Sequence, residues 1–154
     1  MGPQKKSNIK VQERGVVTVE FAILLPLIVL ILVGLMEGGH LWHLQHTVTN
    51  ASREGARAAI LYNPPYSPAA VTQAATQTVD NYLRNYLPWK VWETEVGGGV
   101  DPSTGALQPL PTTYSTGAAV TVRVITNEGM LLLDTLIPAF QDIKVQAETT
   151  MKLE

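Results

Sequence analysis

Val16 to Met36 reads VVTVEFAILLPLIVLILVGLM, an apolar run interrupted in polarity only by Thr18 and Glu20. At about 21 residues it has the length a helix needs to cross a hydrocarbon core of roughly 30 Å. About fifteen Val, Ile, Leu and Phe side chains favour insertion by about 4 to 9 kcal/mol, against about 3 kcal/mol for one central charge. Insertion therefore wins even with Glu20 ionised, and Glu20 also lies only about 7 Å of helical rise from the start of the run, where water and headgroups are near and the penalty is smaller. Pro26 sits inside the run, removing a backbone donor and colliding with the preceding turn. A kink or a locally loosened helix is expected there, with the Ala22 carbonyl freed.

Charge sets the orientation. Lys5, Lys6, Lys10 and Arg14 precede the run against Glu13, whereas the nearest charges beyond it are Glu37 and then Arg53. The positive-inside rule makes residues 1–15 a basic cytoplasmic leader, residues 16–36 a transmembrane helix and the remainder extracytoplasmic. Trp42, with His40 and His43 beside it, falls where an aromatic ring would sit at the far membrane interface. A cleaved secretory signal would have a shorter apolar stretch and an A-x-A-like site behind it, and no such site follows before the helical pattern resumes. An ordinary uncleaved signal anchor has the same hydropathy, so that alternative turns on the residues at the leader boundary.

Gly15 stands immediately before the run, and Glu20 is the fifth residue after it, in G-V-V-T-V-E-F. This resembles the prepilin peptidase site of type IV pilins and pseudopilins. The resemblance implies cleavage between Gly15 and Val16, a new cationic amine on Val16 at the membrane surface, and a role for Glu20 in subunit assembly, where it meets a neighbour's amine. A glycine permits close backbone approach by a peptidase. A carboxylate entering a lipid-like helical core needs a partner of this kind. The chain continues as VEFAILLPLIVLILVGLMEGGHLWHLQHTVTNASREGARAA. That longer stretch resembles TadE-like proteins, minor pilins or pseudopilins of tight-adherence pilus systems, in VEFA with LLP following, in Glu37 and Gly39, and in NASREGARAA from Asn50 to Ala59. His40 and His43 depart from the basic or aromatic residues often found there. Beyond Ala59 the likeness is weak, a valine-alternating strand before a last one.

Leu41, Leu44, Val48, Ala51, Gly55, Ala58 and Tyr62 recur at intervals of three and four, so residues 37–62 are expected to extend the span as an amphipathic helix. Arg53, Glu54 and Arg57 form its solvated face. Asn63 to Pro68 breaks it, and Ser67 with Pro68 is an N-cap and first-turn pair for a second helix. Val71, Ala75, Val79, Tyr82 and Tyr86 give that helix an apolar face, ending before Pro88. A strand from Trp89 to Val96 follows. Residues 97–117, GGGVDPSTGALQPLPTTYSTG, are dense in turn residues and read as a long mobile or ligand-facing loop. Val120, Val122 and Val124 then alternate with Thr121 and Arg123. Ile143, Val145, Ala147, Thr149 and Met151 alternate with polar residues, as in a strand buried on one face. Met130 to Phe140 is apolar enough to cover the sheet or meet a partner. The expected fold is α+β: a long N-terminal transmembrane helix extending into an amphipathic helix, then a second helix packed on a small antiparallel sheet, residues 63–154 forming the extracytoplasmic domain.

The chain has no cysteine, which removes disulfides, thiol catalysis and zinc-thiolate sites together. Its basic excess belongs to the leader, so the remainder offers no electrostatic footprint for nucleic acid. His40, His43 and His46 are spaced for neighbouring helical positions, but no H-E-x-x-H pattern supports them, and interfacial histidines are the better reading. With no P-loop and no G-x-S-x-G elbow, no catalytic residue, cofactor or metal ligand is assigned. The resemblance implies a non-enzymatic, single-pass protein of the bacterial inner membrane that takes part in pilus assembly. Its partners would be prepilin peptidase, other pilin and pseudopilin subunits, the pilus assembly platform and the lipid bilayer. The alternative is a permanently anchored extracytoplasmic binding module that never enters a pilus.

Overall fold

A computed structural model describes residues 7–61, 66–113, 115–127, 132, 137, 138 and 143–153, with residues 7–14 described by backbone alone. Two compact units make up the chain, Met1–Gly39 and His40–Glu154. One helix, α1 (Ser7–Ile60), enters both. It begins within the stretch read as leader, so Gly15 lies inside the helix, two turns from its start. The helical assignment also continues through Pro26.

In the first unit, the side chains from Val16 to Leu32 are exposed, a bare apolar surface far larger than water-soluble proteins carry. The helix is long and apolar enough to cross a membrane. This agrees with single-pass anchoring.

The second unit adds α2 (Pro68–Tyr86) and five strands: β1 (Trp92–Gly97), β2 (Gly99–Val100), β3 (Leu107–Gln108), β4 (Ala119–Thr126) and β5 (Val145–Lys152). The principal sheet is antiparallel with order β1-β4-β5. Trp92 pairs with Thr126, and Thr126 with Val145. Its inner face meets the helices in one apolar core: Leu44, Val48, Ala51, Ala56 and Ala59 from α1, Val71, Ala75, Val79 and Leu83 from α2, Val120, Val122 and Val124 from β4, and Val145 and Ala147 from β5. This is the α+β arrangement expected, with α2 on a small antiparallel sheet.

Several local expectations need correction. On α2 the buried row is Val71, Ala75, Val79, Leu83, whereas Tyr86 is exposed and stacks on Tyr82 at 4.7 Å between ring centroids. Steps of four from Val71 keep one face inward, and Leu87 continues them into the core. Ser67 occupies the N-cap with extended backbone and Pro68 opens the helix, but the Ser67 side chain makes no capping hydrogen bond. The strand begins at Trp92 rather than Trp89, because the Lys90 N–H donates to the Leu87 carbonyl and closes a turn first. On α1 the core takes Ser52, Ala56 and Ala59 besides the expected stripe, while Ala58 is only half-buried. Helix and sheet together cover a wider arc than one row of side chains.

Residues 97–117 are not a structureless loop. β2 and β3 form a hairpin, and β3 passes so close that a Cβ on Gly97 would stand 2.6 Å from the Gln108 carbonyl oxygen. At its tip the Asp101 carboxylate accepts from Ser103 Oγ at 2.6 Å and from the Ser103 N–H at 2.8 Å. Those bonds hold the Asp101 carboxyl below its ordinary pKa. Gly105 closes the turn with φ of +69°. Its carbonyl accepts from Arg123 Nη2 at 2.6 Å on the outer face of the sheet. Arg123 also pairs across the sheet with Glu148 at 2.8 Å and Glu95 at 3.3 Å. Tyr62 and most of Met130 to Phe140 lie outside the described residues.

Candidate processing and assembly site

Gly15, Val16, Glu20 and Pro26 all belong to α1 and all are exposed. Val16 and Glu20 are four residues apart and so share a helix face, one turn from each other. Glu20 makes no ion pair among the described residues. Apart from the adjoining backbone of the helix itself, no atom of the described residues lies within 4 Å of a Cβ built on Gly15, and the same holds for Gly34, Gly38 and Gly39. A glycine inside a helix costs about 1 kcal/mol relative to alanine. Packing among the described residues therefore gives no reason for any of these four glycines.

Gly55 is the opposite case. A Cβ there would meet Val79 Cγ2 at 2.6 Å and Val122 Cγ1 at 3.3 Å, so α1 can lie against α2 and β4 only with hydrogen at that position. Beside it, the buried Ser52 donates through Oγ to the Val122 carbonyl at 2.9 Å and contacts Thr149 Oγ1 at 2.8 Å. Ser52 Oγ is the donor toward both acceptors, so its single proton is shared between the Val122 carbonyl and Thr149 Oγ1. The segment from Leu44 to Ala59 thus owes its small residues to the fold.

Residues 15–57 match the model of the TadE-like protein family. No curated protein and no solved structure matches the chain. The TadE-like match lies wholly within α1 and covers just over a quarter of the sequence. It opens on Gly15 and closes on Arg57, so it holds both kinds of residue: exposed Gly15, Val16 and Glu20, which make no packing contribution to this chain's core, and Ser52 and Gly55, which do. Ser52 escaped the sequence reading because a serine inside NASREGARAA carries no periodic signal. Its burial depends on Val122 and Thr149, far away in the chain.

Proposed function

We propose that this chain is a TadE-like minor pilin or pseudopilin of a tight-adherence pilus. It is inserted in the bacterial inner membrane, cleaved between Gly15 and Val16 by prepilin peptidase, and passed by the assembly platform to other pilin and pseudopilin subunits. The observation that carries this reading is that the TadE-like match opens on Gly15, the residue after which cleavage is expected. Two features of the site support it. Gly15 has no steric cause among the described residues, and its low helical propensity eases the local unwinding a peptidase needs to reach a bond inside α1. Glu20 is exposed on an apolar helix without an ion-pair partner among the described residues, and a neighbouring subunit's Val16 amine would supply one. The Pro26 position would let the helix bend where it packs among other subunits.

The deciding experiment is the mass and N-terminal residue of the protein made in its native host, with Gly15→Leu and Glu20→Ala beside the parent. The parent should begin at Val16. Gly15→Leu should remain full-length in the membrane. Glu20→Ala should be cleaved and inserted yet fail in pilus assembly, because removing one partner of a buried charge pair costs about 3 to 5 kcal/mol. A parent that keeps residues 1–15, with both variants assembling normally, would return the anchored binding module as the better account.

A further inference from the structure

Within the second unit, a ladder of contacts identifies which residues share the end at which α1 enters. Gln45 Nε2 donates to the Gln146 carbonyl at 3.2 Å, which puts the start of β5 level with the first turns of α1 in this unit. Val145 pairs with Thr126 and Thr126 with Trp92, and the Asn127 N–H donates to the Val91 carbonyl at 3.2 Å. The Trp89 to Val91 turn therefore sits at the same end of the unit as Trp42. Apolar side chains face outward there: Trp42 is 71 % exposed, Trp89 69 %, Val91 62 % and Tyr86 53 %, while Lys90 between two of them is buried. Leu44, Leu83 and Leu87, close to them in sequence, are the side chains the core takes instead.

Connectivity limits how far this end can lie from the span. His40, the first residue of the unit, follows Met36 by four residues. However the two units are oriented, four residues span at most about 14 Å. Once the Val16 to Met36 run occupies a bilayer, the headgroup layer lies within that reach of the entry end. Trp and Tyr suit that layer, with an apolar ring and a polar N–H or O–H.

We propose that Trp42, Tyr86, Trp89 and Val91 form a membrane-resting surface by which the second unit seats its entry end in the headgroup layer of the bilayer that holds α1. The inference rests on the reading of Val16 to Met36 as a span. Trp42 belongs to α1, but Trp89 and Val91 come from a separate turn, so this surface is not a by-product of the span itself.

The absence of native cysteine allows the test on the full chain. Single variants Val91→Cys, Leu61→Cys and Val29→Cys are spin-labelled and reconstituted in phosphatidylcholine vesicles. Collision rates with oxygen and with a water-soluble nickel chelate are then compared, and circular dichroism confirms the fold. The label at 91 should show an oxygen-to-nickel ratio several-fold above that at 61, and below that at mid-span position 29. Trp89→Phe/Trp92→Phe, leaving Trp42, and Trp42→Phe/Trp92→Phe, leaving Trp89, give a second readout: both remaining tryptophans should be quenched by headgroup-labelled lipid. A label at 91 as aqueous as that at 61, with 29 in lipid, overturns the surface and leaves the span standing. An aqueous label at 29 overturns both. A label at 91 shielded from both collision agents shows that protein, for instance a second copy, covers the turn, and this too overturns the proposal.

Discussion

A methyl group on Gly55 would stand 2.6 Å from Cγ2 of Val79. Val79 is β-branched and, within α2, strongly prefers one rotamer, so moving it aside is costly. Gly55→Ala should gain up to about 1 kcal/mol in helix propensity and lose about 1 to 3 kcal/mol to overpacking, for a net loss of stability. Denaturant unfolding of the protein in detergent, followed by near-ultraviolet circular dichroism, measures it. Adding Val79→Ala should recover part of the loss. A Gly55→Ala protein more stable than the parent would mean that the two helices separate freely.

Ser52 and Thr149 join α1 to β5 through a hydroxyl pair, with Ser52 fully buried. Ser52→Ala should cost about 1 to 3 kcal/mol, since the Thr149 hydroxyl and the Val122 carbonyl each lose a partner where water is scarce. Thr149→Val in the same background should cost less than it does alone. Strict additivity of the two would show that the pair is not coupled.

Arg123 divides its guanidinium unequally. Nε and Nη2 lie 2.9 and 2.8 Å from Glu148, and only Nη1 reaches Glu95, at 3.3 Å. The Glu148 hydrogen bonds are the main cause of the raised Arg123 pKa. Glu148→Gln should therefore destabilise more than Glu95→Gln. Each should cost under about 1 kcal/mol because these carboxylates face solvent. Parallel unfolding curves at low and high salt test the order, and the gap between the two should narrow as salt rises.

Asp101 makes a pH prediction for the hairpin tip. Ser103 stabilises its ionised form, so the folded pKa lies below the unfolded one. The contribution is present above the ordinary carboxylate value of about 3.9 and disappears as pH falls through the lower folded value. Carbon-detected NMR titration should find the Asp101 midpoint under that value. Ser103→Ala should raise it. A midpoint unaffected by the substitution would remove Ser103 as its cause.

Elements with a long period or a strong stop were legible in the sequence. The apolar run announced α1, Pro68 and Pro88 bracketed α2, and the alternating valines announced β4, because each signal resides in neighbouring residues. Among the candidate residues, Gly15 and Glu20 stand out in the sequence only through the resemblance of G-V-V-T-V-E-F to a prepilin peptidase site. What escaped notice depends on residues distant in sequence. The β2–β3 hairpin has two-residue strands, too short for any alternation, and exists because Gly97 admits the Gln108 backbone. Thr121 looked like a solvent-facing position, but it is buried and shares a hydrogen bond of 2.8 Å with Thr150. The choice of Leu83 over Tyr86 on α2 likewise follows from where the core lies.

The bonds between α1 and β5 also govern timing during synthesis. Ser52 and Thr149 are 97 residues apart, and Gln45 and Gln146 are 101 apart. A ribosome therefore finishes α1 long before the partners that seal Ser52 exist, and β4 lacks its second neighbour until residues 145–152 appear. Loop closure over such distances slows folding. The second unit must wait, with its valine strand half-covered, until the chain has been made at least through β5.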